Sequence, residues 1–156
     1  MHITFPADFD IATLWALRSR AVGIVCATHY PASDVSIWAA SPPPAAYSRF
    51  LADRTVAVAE DGEKLVGYAA LDAPAREIDA VFVDPAHIGE GVGKRLIQAL
   101  FALARRRQID ELTVCAALNA VGFYRAAGFG EEREDLYAHP SGIALPHVHM
   151  RARIAV

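Results

Sequence analysis

Three glycines at alternate positions, Gly89, Gly91 and Gly93, follow a proline turn in the segment DPAHIGEGVGKR. Glycine allows a ligand to approach the backbone closely because it has no β-carbon. The free N–H groups of such a turn, together with the positive end of a following helix, bind anions such as a pyrophosphate. A tight strand-to-helix turn that binds nothing would carry the same glycines, so this segment alone leaves both interpretations open.

The spacing of these glycines excludes two common phosphate-binding motifs. A dinucleotide fingerprint requires Gly-x-Gly-x-x-Gly after the first strand of its fold, whereas here Lys94 holds the place of the third glycine and the segment lies mid-chain. A Walker A loop requires four residues between its glycines and then Lys followed by Ser or Thr. Gly89 and Gly93 enclose only three residues, and Arg95 stands at the hydroxyl position. The segment therefore predicts a strand, a glycine-rich turn and a long helix that match neither of these two motifs.

A second segment, LNAVGFYRAAGF at residues 118–129, makes the glycine turn more specific. Together with FVDPAHIGEGVGKRL it resembles the paired signatures of the GNAT superfamily of N-acetyltransferases. The first segment is similar to that family's acetyl-CoA motif, a strand ending in Val-x-Pro and then Arg/Gln-x-x-Gly-x-Gly/Ala. The second is similar to its later motif, an Asn followed by Phe-Tyr and Gly-Phe. The resemblance covers at least residues 54–130 and implies that the anion is the pyrophosphate of coenzyme A, although Ile88 stands where the family usually has Arg or Gln.

The resemblance also implies which residues bind acetyl-CoA. In the family, the pantetheine arm pairs with the strand before the glycine turn, and a bulge in that strand points a backbone amide, here that of Val81, at the thioester carbonyl. The Asn of the second motif bonds the same arm, although Asn119 would also suit a helix N-cap. The expected contacts to the cofactor are Val81, Phe82, Val83, Ile88, Gly89, Glu90, Gly91, Val92, Gly93, Lys94, Asn119 and Tyr124.

Acetyl transfer to an amine requires a base for the amine proton, stabilisation of the carbonyl oxygen and an acid for the leaving thiolate. The resemblance implies Glu77 as the base, Asp79 as the second candidate or an anchor for the substrate amine, and Tyr124 as the acid. Side chains alternate along a strand, so EIDAVFV would place Glu77, Asp79, Val81 and Val83 on one face. Burial beside the cofactor would raise the pKa of a carboxylate there. The alternative is that both carboxylates are solvated, that the amine arrives neutral, and that Tyr124 belongs to the core.

The early helical region supplies candidates for an acceptor pocket. In the resembled family this region forms the acceptor-side wall, so His29, Tyr30 and Trp38 are expected to line the substrate pocket. The three consecutive prolines at 42–44 favour a walled pocket and therefore a small amine or amino-acid-like acceptor. A related acyltransferase that uses another acyl-CoA or a protein amine, and a non-catalytic sensor that keeps only the CoA site, are the alternatives.

The histidines do not predict a metal site. His147 and His149 share one face of a terminal strand, but no Cys, Asp or Glu joins them at the spacing of a ligand set. Cys26 and Cys115 lie far apart and outside any zinc spacing, so they are expected to be reduced thiols in the core. No metal is expected.

Composition limits the class of protein. The 156 residues are 54% hydrophobic and 21% charged, with a net charge of -3, which is typical of one globular domain. The acidic balance argues against a nucleic-acid partner, which needs a basic face. The chain begins with acids and a proline rather than a signal peptide, and no apolar run approaches a membrane span. A cytoplasmic protein is therefore expected, with the edge of the terminal strand available for a homodimer.

Hydrophobic patterning predicts the elements that position these residues. The order is a strand, helices interrupted by the prolines, a hairpin around DGE, the strand EIDAVFVD, a long helix, the strand ELTVCAA, a short helix and the strand HVHMRARI. A meander followed by strand-helix-strand units indicates an α/β (α+β) domain over residues 1–156. Its expected architecture is a mixed, mostly antiparallel central sheet flanked by helices, as in the GNAT-like acyl-CoA acyltransferase fold.

Overall fold

Strands from all parts of the chain form one mixed sheet in the computed structural model, which describes residues 1–155. The strands are β1 (His2–Thr4), β2 (Val56–Asp61), β3 (Lys64–Asp72), β4 (Glu77–Val83), β5 (Glu111–Ala117), β6 (Gly130–Ala138) and β7 (Ala144–Arg153). The α-helices are α1 (Ile11–Val25), α2 (Ala32–Ala40), α3 (Ala46–Ala52), α4 (Val92–Arg106) and α5 (Val121–Ala126). The strand order is β1-β2-β3-β4-β5-β7-β6, and every pairing in the described range is antiparallel except β4 with β5. The expected mixed sheet flanked by helices is confirmed.

Helices α1 and α4 cover opposite faces of the sheet. Asp10 caps α1 by accepting a hydrogen bond from the N–H of Ala12 at 3.2 Å, and Leu14 and Leu17 pack on one face with side chains from β2 and β3. Leu96 and Leu100 of α4 pack on the other face. Alternation along the strands supplies apolar side chains to both layers.

A β-bulge interrupts β4 at Asp79. Leu71 of β3 pairs with Ile78, and the preceding Ala70 pairs with Ala80, so Asp79 is the extra residue. An extra residue inverts the alternation of side chains beyond it. Ile78 and Val81 therefore face the α4 layer, whereas Ala80 faces the α1 layer. The prediction that Glu77, Asp79, Val81 and Val83 share one face is wrong, because strict alternation does not survive the bulge.

Strands β4 and β5 separate soon after they meet. Their parallel pairing consists of Glu77 with Thr113 and Ile78 with Val114. Residues 79–83 of β4 therefore have no β5 partner. The backbone N–H and C=O groups of this segment that point towards β5 require a different hydrogen-bond partner. The separation opens a cleft in the middle of the sheet.

The hairpin of β6 and β7 differs from the sequence-based prediction. All residues of β6 are exposed and many are charged, so the segment lacks the apolar alternation by which a strand is recognised. It forms because β7 offers it a complete pairing edge. The terminal strand β7 consequently lies between β5 and β6, and it has no free edge for a homodimer. The free edges belong to β1 and β6.

Residues Ile11–Thr28 are the one described helical stretch that is long and apolar enough, by composition alone, to cross a membrane, with a mean hydropathy of 1.2. The fold uses α1 within this stretch as a packing helix, since Leu14, Leu17 and Val22 are buried in the core. Arg18 in the same helix is also buried and hydrogen-bonded, which is typical of a core helix rather than a lipid-facing one.

Candidate active site

A cavity of ≈ 1220 Å³ lies at the split between β4 and β5. The glycine turn and the first turn of α4 bound it on one side. Helices α1 and α2, the prolines at 42–44 and the turn between β6 and β7 bound it on the other. A cavity of this size holds an extended ligand and a second, smaller molecule beside it.

The glycine turn has the conformation that an anion site requires. Gly89 and Gly91 have φ angles of 85° and 82°, which side chains other than glycine rarely adopt. Gly91 is the N-cap of α4 and provides no side-chain cap, so the first N–H groups of the helix, starting with Val92, lack partners inside it. A β-carbon on Gly93 would lie 3.0 Å from the ring of Phe123, so only glycine allows α4 to approach α5 this closely. The turn therefore fits a pyrophosphate, whose oxygens would accept those N–H groups.

Asp84 and Ile88 flank the glycine turn. Asp84 is buried, accepts a hydrogen bond from the N–H of Ala86 at 3.0 Å and pairs with Arg20 at 3.1 Å. The Ala86 N–H first, and then Arg20, keep the pKa of this carboxyl below its usual value. The sequence alone does not indicate this role for Asp84, because only the following proline carries a turn signal. Ile88, at the atypical position, is 55% exposed, so its side chain leaves the main chain of the turn accessible.

Asn119 and Tyr124 line the cavity from the second motif. Asn119 belongs to a 3-10 turn, and the N-cap of α5 is Ala120, so the N-cap alternative for Asn119 is wrong. Its Oδ1 atom is buried without a hydrogen-bond partner among residues 1–155. Buried acceptors are rarely left unpaired in native proteins, so this atom fits an amide of a pantetheine arm.

Tyr124 is the candidate proton donor, and its side chain is buried. The side chain is only 5% exposed and packs edge-to-face on Phe123 and Phe129, with ring centroids 5.1 and 5.5 Å away. Burial, and then the charge of Asp79, raise its pKa. The hydroxyl therefore stays protonated at neutral pH.

Glu77 and Asp79 both line the cavity, in different surroundings. Asp79 is an exposed residue that lines the cavity. Partial desolvation by the surrounding atoms, and then the charges of Glu77 and Asp72, raise its pKa to about 6. Burial and Asp72 also raise the pKa of Glu77, while His147 opposes the shift. The charge of Asp79 acts on Tyr124, whereas that of Glu77 acts on Cys115. Both charges also act on Tyr137 of β6.

The three residues expected to line the acceptor pocket have different positions. Trp38 and Tyr30 line the cavity, with ring centroids 5.3 Å apart. The Tyr30 hydroxyl donates to the carbonyl of Pro146 at 2.6 Å and accepts from the N–H of Leu118 at 2.9 Å, which joins the helical wall to the sheet. His29 is exposed, hydrogen-bonds Thr28 and does not line the cavity. That expectation is wrong because the 3-10 turn after α1 directs His29 outward.

Arg18 is a cavity residue that the sequence analysis missed. The side chain is 3% exposed, and its guanidinium lies 4.2 Å from the ring centroid of Trp15. It donates to the carbonyl oxygens of Trp38 and Ala39, at 2.9 and 3.3 Å, and to Oγ of Ser41 at 3.1 Å. No carboxylate of residues 1–155 forms an ion pair with it. Burial lowers its pKa, and because the pKa of a guanidinium is ordinarily above 12, we expect Arg18 to remain a cation in the cavity wall.

The structure also brings Cys115 next to the two histidines of β7. Cys115 pairs directly with His149, and His147 is the next residue of β7 on the same face. The sequence analysis found no third ligand for these histidines because it looked within short sequence spacing. Cys115 lies 34 residues from His149 in the chain.

The split sheet and the glycine turn define an acyl-CoA acyltransferase fold. The sequence matches the profile of the family described as "Acetyltransferase (GNAT) domain" over residues 26–154. The chain therefore belongs to the GNAT acetyltransferase family, and the resemblance found in the sequence is confirmed.

Curated relatives match parts of the chain. It is 35% identical to the N-alpha-acetyltransferase RimI of Mycobacterium tuberculosis over 95 residues, which cover 56% of this chain and 60% of the relative. It is 39% identical to the histone acetyltransferase TAP1 of Glycine max over 56 residues, which cover 36% of this chain and 24% of the relative. The chain thus spans less than two thirds of the length of these curated relatives.

Solved structures match the whole fold. A GCN5-related N-acetyltransferase from Rhodopseudomonas palustris has a TM-score of 0.78 and 25% identity over 98% of both chains. The PaiA N-acetyltransferase of Thermoplasma acidophilum, solved with coenzyme A, has a TM-score of 0.75 and 19% identity over 98% of this chain and 99% of that one. The second likeness is one of fold alone.

Proposed function

We propose that this protein transfers the acetyl group of acetyl-CoA to the amine of a small molecule, by direct attack within a ternary complex. The observation that carries the proposal is one continuous cavity that joins the glycine turn to Asp79 and to the buried Arg18. Both substrates can then be bound together, which direct transfer requires.

The cofactor would bind along the glycine turn and β4. The first N–H groups of α4 would hold the pyrophosphate, with Lys94 beside them. The unpaired edge of β4 at residues 79–83 and Oδ1 of Asn119 would hydrogen-bond the pantetheine arm. The bound cofactor supplies the reactive thioester, and the backbone N–H of Val81 is our candidate donor to its carbonyl oxygen.

Asp79 is our candidate for the general base, in preference to Glu77. Its pKa of about 6 makes it mostly ionised at neutral pH and still basic enough to accept a proton from an ammonium group, directly or through water. Tyr124 is our candidate for the acid. Because the charge of Asp79 helps to raise the pKa of Tyr124, protonation of Asp79 makes the Tyr124 hydroxyl a better donor to the leaving thiolate.

The part of the cavity lined by Arg18, Trp38 and His139, which we call the acceptor chamber, favours a small amine that carries a carboxylate. Trp38 of α2 faces His139 of the β6–β7 turn across the chamber, with ring centroids 6.5 Å apart, so the two walls meet. Arg18 caps the carbonyl end of α2 and still lacks an anionic partner. A carboxylate on the acceptor would neutralise it in a site of low dielectric.

A second candidate acceptor is the free amino terminus of a peptide. The identity with RimI of Mycobacterium tuberculosis, whose name is that of an N-alpha-acetyltransferase, favours it. Trp38 and His139 lie close together in this part of the cavity, so a peptide would have to displace them, whereas a free amino acid is smaller.

The deciding experiment measures thiol release from acetyl-CoA with matched acceptors. Free amino acids, the corresponding amino acid amides and short peptides with free amino termini are compared with the wild type, Arg18→Met and the surface control Arg106→Met. We expect amino acids to be the best acceptors, and Arg18→Met to lower kcat/KM for them by ~10- to 100-fold, about 1.5–3 kcal/mol. Amides should change little.

Other outcomes of the same experiment identify the alternatives. Turnover restricted to peptides would establish the second candidate. Calorimetric binding of coenzyme A without turnover of any amine would establish a CoA-binding sensor, and the absence of binding would overturn the proposal entirely. We also expect the enzyme to act in the cytoplasm as a homodimer that pairs through a free edge at β1 or β6, which sedimentation analysis tests.

A further inference from the structure

Three side chains with metal-ligating atoms meet on the sheet face opposite α4. The Sγ atom of Cys115 lies 3.6 Å from Nδ1 of His149, and Nε2 of His147 lies 3.2 Å from Nε2 of His149. One ligand atom from each residue can be chosen so that all three lie within 4.8 Å of one another. The pairing of β5 with β7 fixes these positions, because it places Cys115 directly opposite His149.

With one ligand atom from each residue, the cluster is somewhat wider than a tetrahedral coordination shell. Bonds of about 2.05 Å to nitrogen and about 2.3 Å to sulfur, at tetrahedral angles, place two nitrogens about 3.4 Å apart and a nitrogen and a sulfur about 3.6 Å apart. His149 presents Nδ1 to Cys115 and Nε2 to His147. Only one of these nitrogens can bind the shared ion, so metal binding requires the His149 ring to rotate.

Charged side chains of both signs surround the cluster. Glu77 lines the same cavity as Cys115 and His147. On β6, Arg133 is paired directly with His149 and Asp135 with His147. Arg133 lies 3.9 Å from Asp135, and Arg151 pairs with Glu132 at 2.6 Å and also with Glu111. The nearby arginines thus have carboxylate partners, and Glu77 adds a further carboxylate to the lining of this cavity.

Without a cation this arrangement is constrained. His147 is only 6% exposed, and two facing imidazole nitrogens at 3.2 Å require one ring to donate an N–H to the other. A divalent ion would accept both nitrogen lone pairs and the thiolate at once. The weak contact between the two rings would be lost, the thiol would lose its proton, and three coordinate bonds would form.

We propose that Cys115, His147 and His149 bind a divalent transition metal ion of the zinc class, with its fourth position open to the cavity. Cys115 and His147 line the acceptor side of that cavity. Three protein ligands and one open position are the arrangement of sites that bind water or a substrate group, rather than of closed structural sites. Metal binding here does not depend on acetyl transfer, so the two proposals stand or fall separately.

Cobalt spectroscopy tests the site directly. The full chain, freed of metal with a chelator and kept reduced, is titrated with Co²⁺, which gives a thiolate-to-cobalt charge-transfer band and intense visible bands only in a tetrahedral thiolate site. We expect both, with saturation at one ion per chain, and displacement by Zn²⁺ that binds at micromolar Kd or tighter. Cys115→Ser should abolish the charge-transfer band and weaken Zn²⁺ binding by ~100-fold or more, about 2.7 kcal/mol.

The controls separate this site from adventitious binding. Cys26→Ser removes the other thiol, and His2→Gln removes an exposed histidine on β1, and both should leave the cobalt spectrum unchanged. His149→Gln is a second variant of the site and should weaken Zn²⁺ binding even if Cys115→Ser is poorly folded. Binding weaker than ~1 mM, a spectrum without a charge-transfer band, or a spectrum that survives Cys115→Ser and His149→Gln would overturn the proposal.

Discussion

The protonation of Asp79 is controlled by groups on several elements around the cavity. Glu77 and Asp72 raise its pKa through their charge, after burial has done so. The hydroxyls of Tyr124, Tyr47, Tyr68 and Tyr137 also respond to its charge. A carboxyl group with a folded-state pKa of about 6 changes its charge within the range where an enzyme is assayed.

This pKa predicts the pH dependence of catalysis. In the proposed mechanism the ionised carboxylate is the base, so kcat/KM should rise as pH increases through about 6, the folded-state pKa of Asp79, and then level until the acceptor amine itself titrates. Asp79→Asn should remove this rise and lower kcat/KM by ~10²- to 10³-fold, the usual contribution of a general base. The measurement is a pH–rate profile at subsaturating acceptor concentration.

Glu77→Gln is the matched control for that profile. It removes one of the charges that raise the pKa of Asp79, so the midpoint of the rise should move to lower pH while the rise itself persists. If Glu77→Gln instead abolishes the rise and Asp79→Asn preserves it, Glu77 is the base and our assignment is incorrect.

Ile88 gives a second test at a single residue. It is exposed at the edge of the glycine turn, where Arg would add a charge-assisted contact to a pyrophosphate. We expect Ile88→Arg to lower the Kd of coenzyme A by ~3- to 10-fold, about 1 kcal/mol, with a gain that diminishes at high salt. Ile24→Arg is the control, since Ile24 is exposed on α1 and does not line the cavity. Equal effects of the two substitutions, measured by calorimetry, would show that net charge rather than position matters.

Sequence motifs predicted cavity-lining residues where the motif lies within one local segment. The glycines of the turn, Asn119 and Tyr124 belong to short motifs, and all of them reach the cavity. Arg18 and Cys115 were missed because their partners come from other elements, α2 for Arg18 and β7 for Cys115. Such contacts depend on tertiary packing, which local spacing does not encode.

At the scale of elements, α4 and α5 cooperate through one glycine. A β-carbon at Gly93 would lie 3.0 Å from Phe123, and Phe123 stacks edge-to-face on Tyr124. We expect Gly93→Ala to displace the Phe123 ring, to weaken coenzyme A binding and to lower kcat by ~10-fold or more, because a small misplacement of a reacting group is costly. It should also lower the free energy of unfolding by ~1–3 kcal/mol through overpacking.

Gly122→Ala is the appropriate control for Gly93→Ala. A β-carbon there would contact nothing within 4 Å, and alanine is the better helix former by ~1 kcal/mol. Gly122→Ala should therefore preserve kcat and retain or increase the free energy of unfolding in denaturant titrations. Similar losses in both variants would show that glycine flexibility, rather than close packing, matters in this region.

Element prediction succeeded where apolar periodicity was strong and failed where pairing alone forms the element. The long helix α4 and the hairpin of β2 and β3 have clear periodicity and sit where they were predicted. Strand β6 has no buried residue, so only its partner β7 reveals it. The bulge at Asp79 is likewise a property of the register between β3 and β4, which the sequence of β4 does not display.

At the scale of the molecule, the sheet consists of two parts joined by a short contact. Strands β1 to β4 form one part and β5 to β7 the other, and the two meet through two residue pairs between β4 and β5. Helix α4 and α5 pack into the core that both parts share. The cavity lies along the split, so a ligand there contacts β4 and α4 on one side and β5 and α5 on the other.

We therefore expect coenzyme A to stabilise the molecule along this split rather than uniformly. Amide hydrogen exchange should slow most at the first turn of α4 and at those residues of 79–83 in β4 whose N–H groups point into the cleft, away from β3. These N–H groups would gain partners from the ligand. The outer strand β1 should change least. Global stability should increase by about 2.7 kcal/mol at a ligand concentration 100 times Kd, seen as a rise in Tm. Uniform protection, or protection at β1 without any at α4, would show that the ligand binds elsewhere.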